Sequence, residues 1–166
     1  MAGDVRSPEV PEPELDGRGR RVAVVAARFN SLVTMRLLDG ARRGLATLGV
    51  ADDDVTVTWV PGAFEIPLAA QRLATTGDVD AVICLGCVIR GETAHFEHVA
   101  GQCAAGIMRV GLDTGVPVVF GVLTTDTLEQ AMARSTAPGE VGFDQHNVGA
   151  EAAAVAVEMA GRRAPP

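Results

Sequence analysis

Lysine and tyrosine are both absent from these 166 residues, and all 14 basic side chains are arginine. Without an ε-amine the chain cannot hold a substrate or cofactor as an enzyme-linked Schiff base. It also lacks the lysine that reaches nucleotide phosphates from a P-loop. Aromatic residues are scarce, at 4%, so each Phe and the lone Trp59 is worth following, although most such rings pack in cores. Positive charge is in deficit: 21 acidic residues against 14 arginines give a net charge of −7, which argues against a nucleic-acid partner or an anionic membrane surface. Any anion site must therefore be local.

Cysteine is limited to Cys84, Cys87 and Cys103, too few for a secreted disulfide scaffold. Cys84 and Cys87 form a CxxC, but the surrounding "AVICLGCV" reads as a buried strand whose two-residue period sends these thiols to opposite faces. Reduced core thiols are expected, not a redox pair. No apolar run is long enough to span a bilayer, and no charged segment followed by an apolar stretch opens the chain, so a soluble cytoplasmic protein is expected.

Hydrophobic residues make up 48%, enough for one domain with its own core. Residues 1–20, rich in Pro, Glu, Asp and Gly, read as an extended N-terminal arm, and a single domain is expected over 21–163. "RVAVVAA" opens it as an apolar strand. Asn30 or Ser31 is placed to cap a helix with the stripe Leu32, Leu37, Leu38, Ala41, Leu45 and Leu48, and Gly49 to end it. The pattern repeats with strand "VTVTWV", helix 63–76, strand "AVICLGCV", helix 93–112 and strand "PVVFGVLT". Asp126 and Glu129 resemble a capping pair for a short helix through Arg134, and Asn147 a cap for a last helix over 149–160. Alternating strands and helices with Val/Ile runs predict an α/β fold, a three-layer sandwich around a four-stranded parallel sheet with right-handed crossovers.

In such a sheet ligands gather beyond the carboxyl ends of the strands, beside helix N-termini. That selects "ARFN", "PGAFEIP", "VIRGETAH" and "TTDT". The third nearly spells a P-loop: Gly86, four residues, Gly91 and Thr93, with Glu92 in the lysine position. Backbone amides and the Thr93 hydroxyl could hold one small phosphate with Glu92 turned outward, and a helix-capping turn explains the same residues equally well. His95 falls in the first turn of the next helix, where the dipole favours a neutral imidazole able to accept a proton, making it the leading acid–base candidate. His98 follows one turn later, but no further ligands accompany the pair and no metal is expected. Phe29, past a strand end, is placed to stack on a flat ring or to pack. Glu65 could accept hydrogen bonds from hydroxyls or simply complement a helix dipole.

Taken in order, "ARFN", "VPGAFEIP", "GCVIRGETAHFEHVA" and "GVLTTDTLEQAMAR" resemble the lumazine synthase family of riboflavin biosynthesis. The resemblance implies a flavodoxin-like fold, no cofactor, and condensation of 5-amino-6-(D-ribitylamino)uracil with 3,4-dihydroxy-2-butanone 4-phosphate to give 6,7-dimethyl-8-ribityllumazine, phosphate and water. By motif, Phe29 would stack on the pyrimidine, Gly62, Ala63, Phe64 and Glu65 would hold the ribityl chain, and Val88 and Ile89 would offer backbone contacts. Gly91, Glu92, Thr93 and Arg134 would take the phosphate, and His95 would move protons. The family's sites lie between neighbours in a homopentamer, with Phe120 and Arg134 coming from the adjacent subunit and the N-terminal segment pairing with a neighbour. Decamers or icosahedral shells are built from such pentamers. After Arg134 the chain departs from the family pattern: "STAPGEVGFDQHNVG" replaces a shorter lysine-containing loop, with Val148 where that lysine would stand, while Glu151 matches an acidic position near Arg134. The competing expectations are a non-catalytic flavin- or lumazine-binding module and a pure shell protein.

Overall fold

A computed structural model of the chain describes residues 6–140 and 146–161. Four strands, β1 (Val22–Ala27), β2 (Val55–Val60), β3 (Ala81–Ile89) and β4 (Val118–Thr125), form one all-parallel sheet in the order β2-β1-β3-β4. The α-helices are α1 (Ser31–Thr47), α2 (Ile66–Ala74), α3 (His95–Thr114), α4 (Leu128–Ala133) and α5 (Val148–Gly161).

Burial follows position in the sheet. β1 is buried along its whole length, because strands pair on both of its edges and helices cover both of its faces. β2 also reads as a Val-rich run, but it is an edge strand on which Thr56 and Thr58 are exposed while Val55, Val57 and Trp59 are half-buried. One core layer joins Val22, Val24, Ile83 and Leu85 to α1 and α5 through Leu37, Leu45 and Val157. The other joins Val25, Val82 and Cys84 to α2 and α3 through Ile66, Ala70, Cys103 and Ile107. Cys84 and Cys87 fall in opposite layers, as the strand period predicts, and all three thiols are buried and unpaired.

Several local expectations are corrected. Asn30 precedes α1 without a side-chain cap bond. Leu32 is exposed, and the first turn of α1 is instead anchored by Val33 and Thr34. The cap of α4 is Thr127, whose Oγ1 accepts from the Gln130 amide at 3.2 Å, while the Gln130 side chain accepts from the Asp126 amide at 2.8 Å. Asn147 does cap α5, its Oδ1 accepting from the Ala150 amide at 3.2 Å. The end of the arm is fastened to its own chain: Leu15 packs on the core and the Gly17 amide donates to the Leu48 carbonyl at 2.8 Å. Residues 1–5 of the expected arm and 162–163 of the expected domain lie outside the described residues.

Candidate active site at the carboxyl rim of the sheet

The four strands point their carboxyl ends at one rim, and the loops there are stitched to one another. Past β1, the amides of Arg28 and Phe29 donate to the carbonyls of Val60 and Pro61 at 2.9 and 3.0 Å. Asn30 then turns the chain with φ 59°, an uncommon conformation that Asn tolerates better than most residues, and its Nδ2 donates to the Cys87 carbonyl at 2.9 Å. Phe29 is thereby held between the ends of β2 and β3 with 72% of its surface exposed. A core role does not account for it.

After β2, residues Ala63–Glu65 form one tight 3₁₀ turn with Ala63 buried, Phe64 exposed and the Glu65 carboxylate folded back over Gly62. After β3 comes the anion-loop candidate. Gly86 is not part of it: it lies inside β3, where a Cβ would press on Ala27 and Ile66 at 3.3 Å. The near-match to a P-loop is therefore a strand followed by a five-residue loop, 90–94, and α3. The amides of Gly91, Glu92 and Thr93 donate to no acceptor among the described residues, while the Thr93 hydroxyl accepts from the His95 amide at 3.4 Å.

These segments enclose one recess of about 590 Å³. Phe29, Gly62, Ala63, Phe64, Glu65, Val88, Ile89, Gly91, Thr93 and His95 all line it, together with Cys87, expected from sequence as a core thiol, and Pro61, Phe96 and Val99, which sequence reasoning did not single out. Burial pushes the Cys87 thiol up to about 11, which keeps it protonated at neutral pH and removes it as a nucleophile. Glu92 is exposed and does not line the recess.

Phe120 and Arg134 do not line it either. Phe120 stands on the edge strand β4 with 43% of its surface exposed, and Arg134 follows α4, its Nη1 donating to the Gln130 carbonyl at 3.1 Å. Glu151, expected to be near Arg134, pairs with His146 Nδ1 at 2.6 Å. The loop after Arg134 is pinned to α1: Arg36 Nε donates to the Ser135 carbonyl at 2.8 Å and its guanidinium forks onto Glu140, while Asn147 Nδ2 reaches the carbonyls of Arg36 and Thr136. Its residues 141–145 lie outside the described residues.

Arg90, immediately before the anion loop, donates through Nε to Asp126 at 2.7 Å and through Nη1 to Glu97, and its guanidinium lies 4.2 Å from the centre of the Phe96 ring. The Arg90 hydrogen bond is the main cause that holds the Glu97 carboxyl below its usual range. Asp126, read from sequence as one of a capping pair, and Glu97 are thus both partners of Arg90.

A second recess, about 530 Å³, lies between α1 and α5. Arg43 is the only charged residue among its described lining residues, and it pairs with Asp39 at 3.0 Å. It offers no acid–base group. Among the described residues no three His, Cys, Asp or Glu side chains gather in a way that could hold a metal, and no helix is long and apolar enough to cross a membrane. A protein-family model described as 6,7-dimethyl-8-ribityllumazine synthase matches residues 19–164.

Proposed function

Because the chain belongs to the 6,7-dimethyl-8-ribityllumazine synthase family, transferases of riboflavin biosynthesis, we propose that it joins 5-amino-6-(D-ribitylamino)uracil to 3,4-dihydroxy-2-butanone 4-phosphate. The reading is carried by one observation: an exposed aromatic ring, a carboxylate, unused loop amides and an imidazole line a single recess. Each matches one part of the reaction.

The Phe29 ring stacks on the pyrimidine. Val88 and Ile89 present main-chain groups to its edge, and Glu65 with the turn from Gly62 to Phe64 receives the ribityl hydroxyls. The amides of Gly91 and Thr93, which line the recess at the positive end of α3, hold the phosphate. The amine of the pyrimidine attacks the ketone and water leaves as the imine forms. Phosphate is then eliminated, and the ribityl-bearing nitrogen closes the second ring with loss of another water. His95 accepts and returns protons at these steps. No lysine is required, since the imine links the two substrates and not the protein.

Phe120 and Arg134 serve the recess of a neighbouring subunit, in a homopentamer whose chains each lend and receive these two side chains. The exposure of Phe120 and the absence of both residues from the lining of the chain's own recess support that reading. The enzyme acts in the cytoplasm. The test is formation of lumazine absorbance and release of phosphate from the two substrates by the purified protein. A rate well above the uncatalysed condensation is expected, and a rate equal to that background would refute the reading.

A further inference from the structure

We propose that Arg90 is a positioning residue that holds the phosphate loop and the first turn of α3 in working register against β4. The inference rests on the proposed reaction and assigns the geometry of its phosphate end to a side chain that need not touch the phosphate.

Arg90 is fixed at both main chain and side chain. Its amide donates to the Thr125 carbonyl at 2.9 Å, which extends the β3–β4 pairing to the rim. Its guanidinium then spans two elements, meeting Asp126 just past β4 at 2.7 Å and Glu97 in the first turn of α3, with its face on the neighbouring Phe96 ring. Only residues 91–94 separate Arg90 from α3, so one side chain ties down both ends of the loop that carries the unused amides. The same clamp orients the turn holding His95 and Phe96, both of which line the recess.

Two carboxylates already match the single charge of Arg90, so it has little left to offer an incoming dianion. Glu97, Asp126 and Arg90 are all substantially exposed, and exposed ion pairs add little to stability. What the planar fork supplies is direction, because two fixed N–H vectors and a stacking face define an orientation that an ammonium cannot.

The experiment compares the assembled parent with Arg90→Gln, Arg90→Lys and Asp126→Asn, measuring kcat and KM for each substrate, with light scattering to match assembly. For Arg90→Gln the kcat/KM for the butanone phosphate falls by on the order of ten- to a hundredfold, as expected for a loop displaced by up to about 1 Å, while the KM for the pyrimidine holds. Arg90→Lys stays impaired, since charge alone does not restore the fork. Asp126→Asn lowers the same kcat/KM for the butanone phosphate by less, and combined with Arg90→Gln adds nothing further. Should Arg90→Gln fail to assemble, Asp126→Asn carries the test by its selective effect on the phosphate substrate. Full rescue by Lys, equal losses for both substrates, or unchanged kinetics in an active parent would overturn the inference. An inactive parent would instead sink the proposed function itself.

Discussion

His95 begins α3 with its side chain exposed at the lip of the recess, so truncating it disturbs chemistry more than packing. For His95→Ala we expect turnover to fall by about a hundredfold, the lower end for a positioned acid–base group, with affinity for a pyrimidine analogue retained in a fluorescence titration. Arg134→Ala should weaken the butanone phosphate relative to the pyrimidine by roughly 1.5–3 kcal/mol, read from the two KM values, because a hydrogen bond to a charged group is lost. A third residue-scale prediction concerns acid. The Glu140 carboxyl is held below its usual range chiefly by hydrogen bonding to Arg36. A carboxylate lowered in the folded state stabilises the fold fully above the ordinary carboxylate range, and that contribution disappears as pH falls through the lowered value. The Tm difference between the parent and Glu140→Gln should therefore be largest near neutrality and vanish in acid.

At the scale of elements, α1 and α5 approach so closely that a Cβ on Gly149 would lie 1.9 Å from the Leu37 carbonyl oxygen. Gly149→Ala must push the helices apart, at a cost of about 1–3 kcal/mol in denaturant unfolding. Gly161→Ala, on the same helix with no atom of the described residues within 4 Å of the added Cβ, should stay within about 0.5 kcal/mol. Most elements were legible in sequence because strand and helix periods differ and because helix stops such as Gly49 stand where a left-handed turn is needed. What escaped depended on partners distant along the chain. Nothing local tells that "VTVTWV" forms a sheet edge, that Asn30 spends its amide on Cys87 and not on a cap, or that Asp126 answers Arg90 while Thr127 caps α4. The ten predicted residues that line the recess were legible for a related reason. They sit at strand ends that the fold class brings to one rim, whereas Phe120 and Arg134 could be attached to the site only through the family likeness.

For the whole molecule, exposed apolar side chains are the informative feature. Met108 and Leu112 lie one turn apart on α3 with 68% and 78% of their surfaces exposed, and Leu68 on α2 and Phe120 on β4 are also exposed. Solvent is a poor final environment for such groups, and the proposed pentamer would cover them. Leu112→Arg should lower the mass seen by light scattering and take the activity with it, while the far-ultraviolet circular dichroism of each subunit is preserved. The chain also carries its recess in two instalments. Phe29 and the turn from Gly62 to Glu65 precede the exposed bend at Gly77, and everything from Cys87 to Val99 follows it. Severing the backbone at that bend would leave each fragment with one wall and neither with a pocket, so recovered ligand capture on mixing the pieces would serve as a reporter of their reassociation.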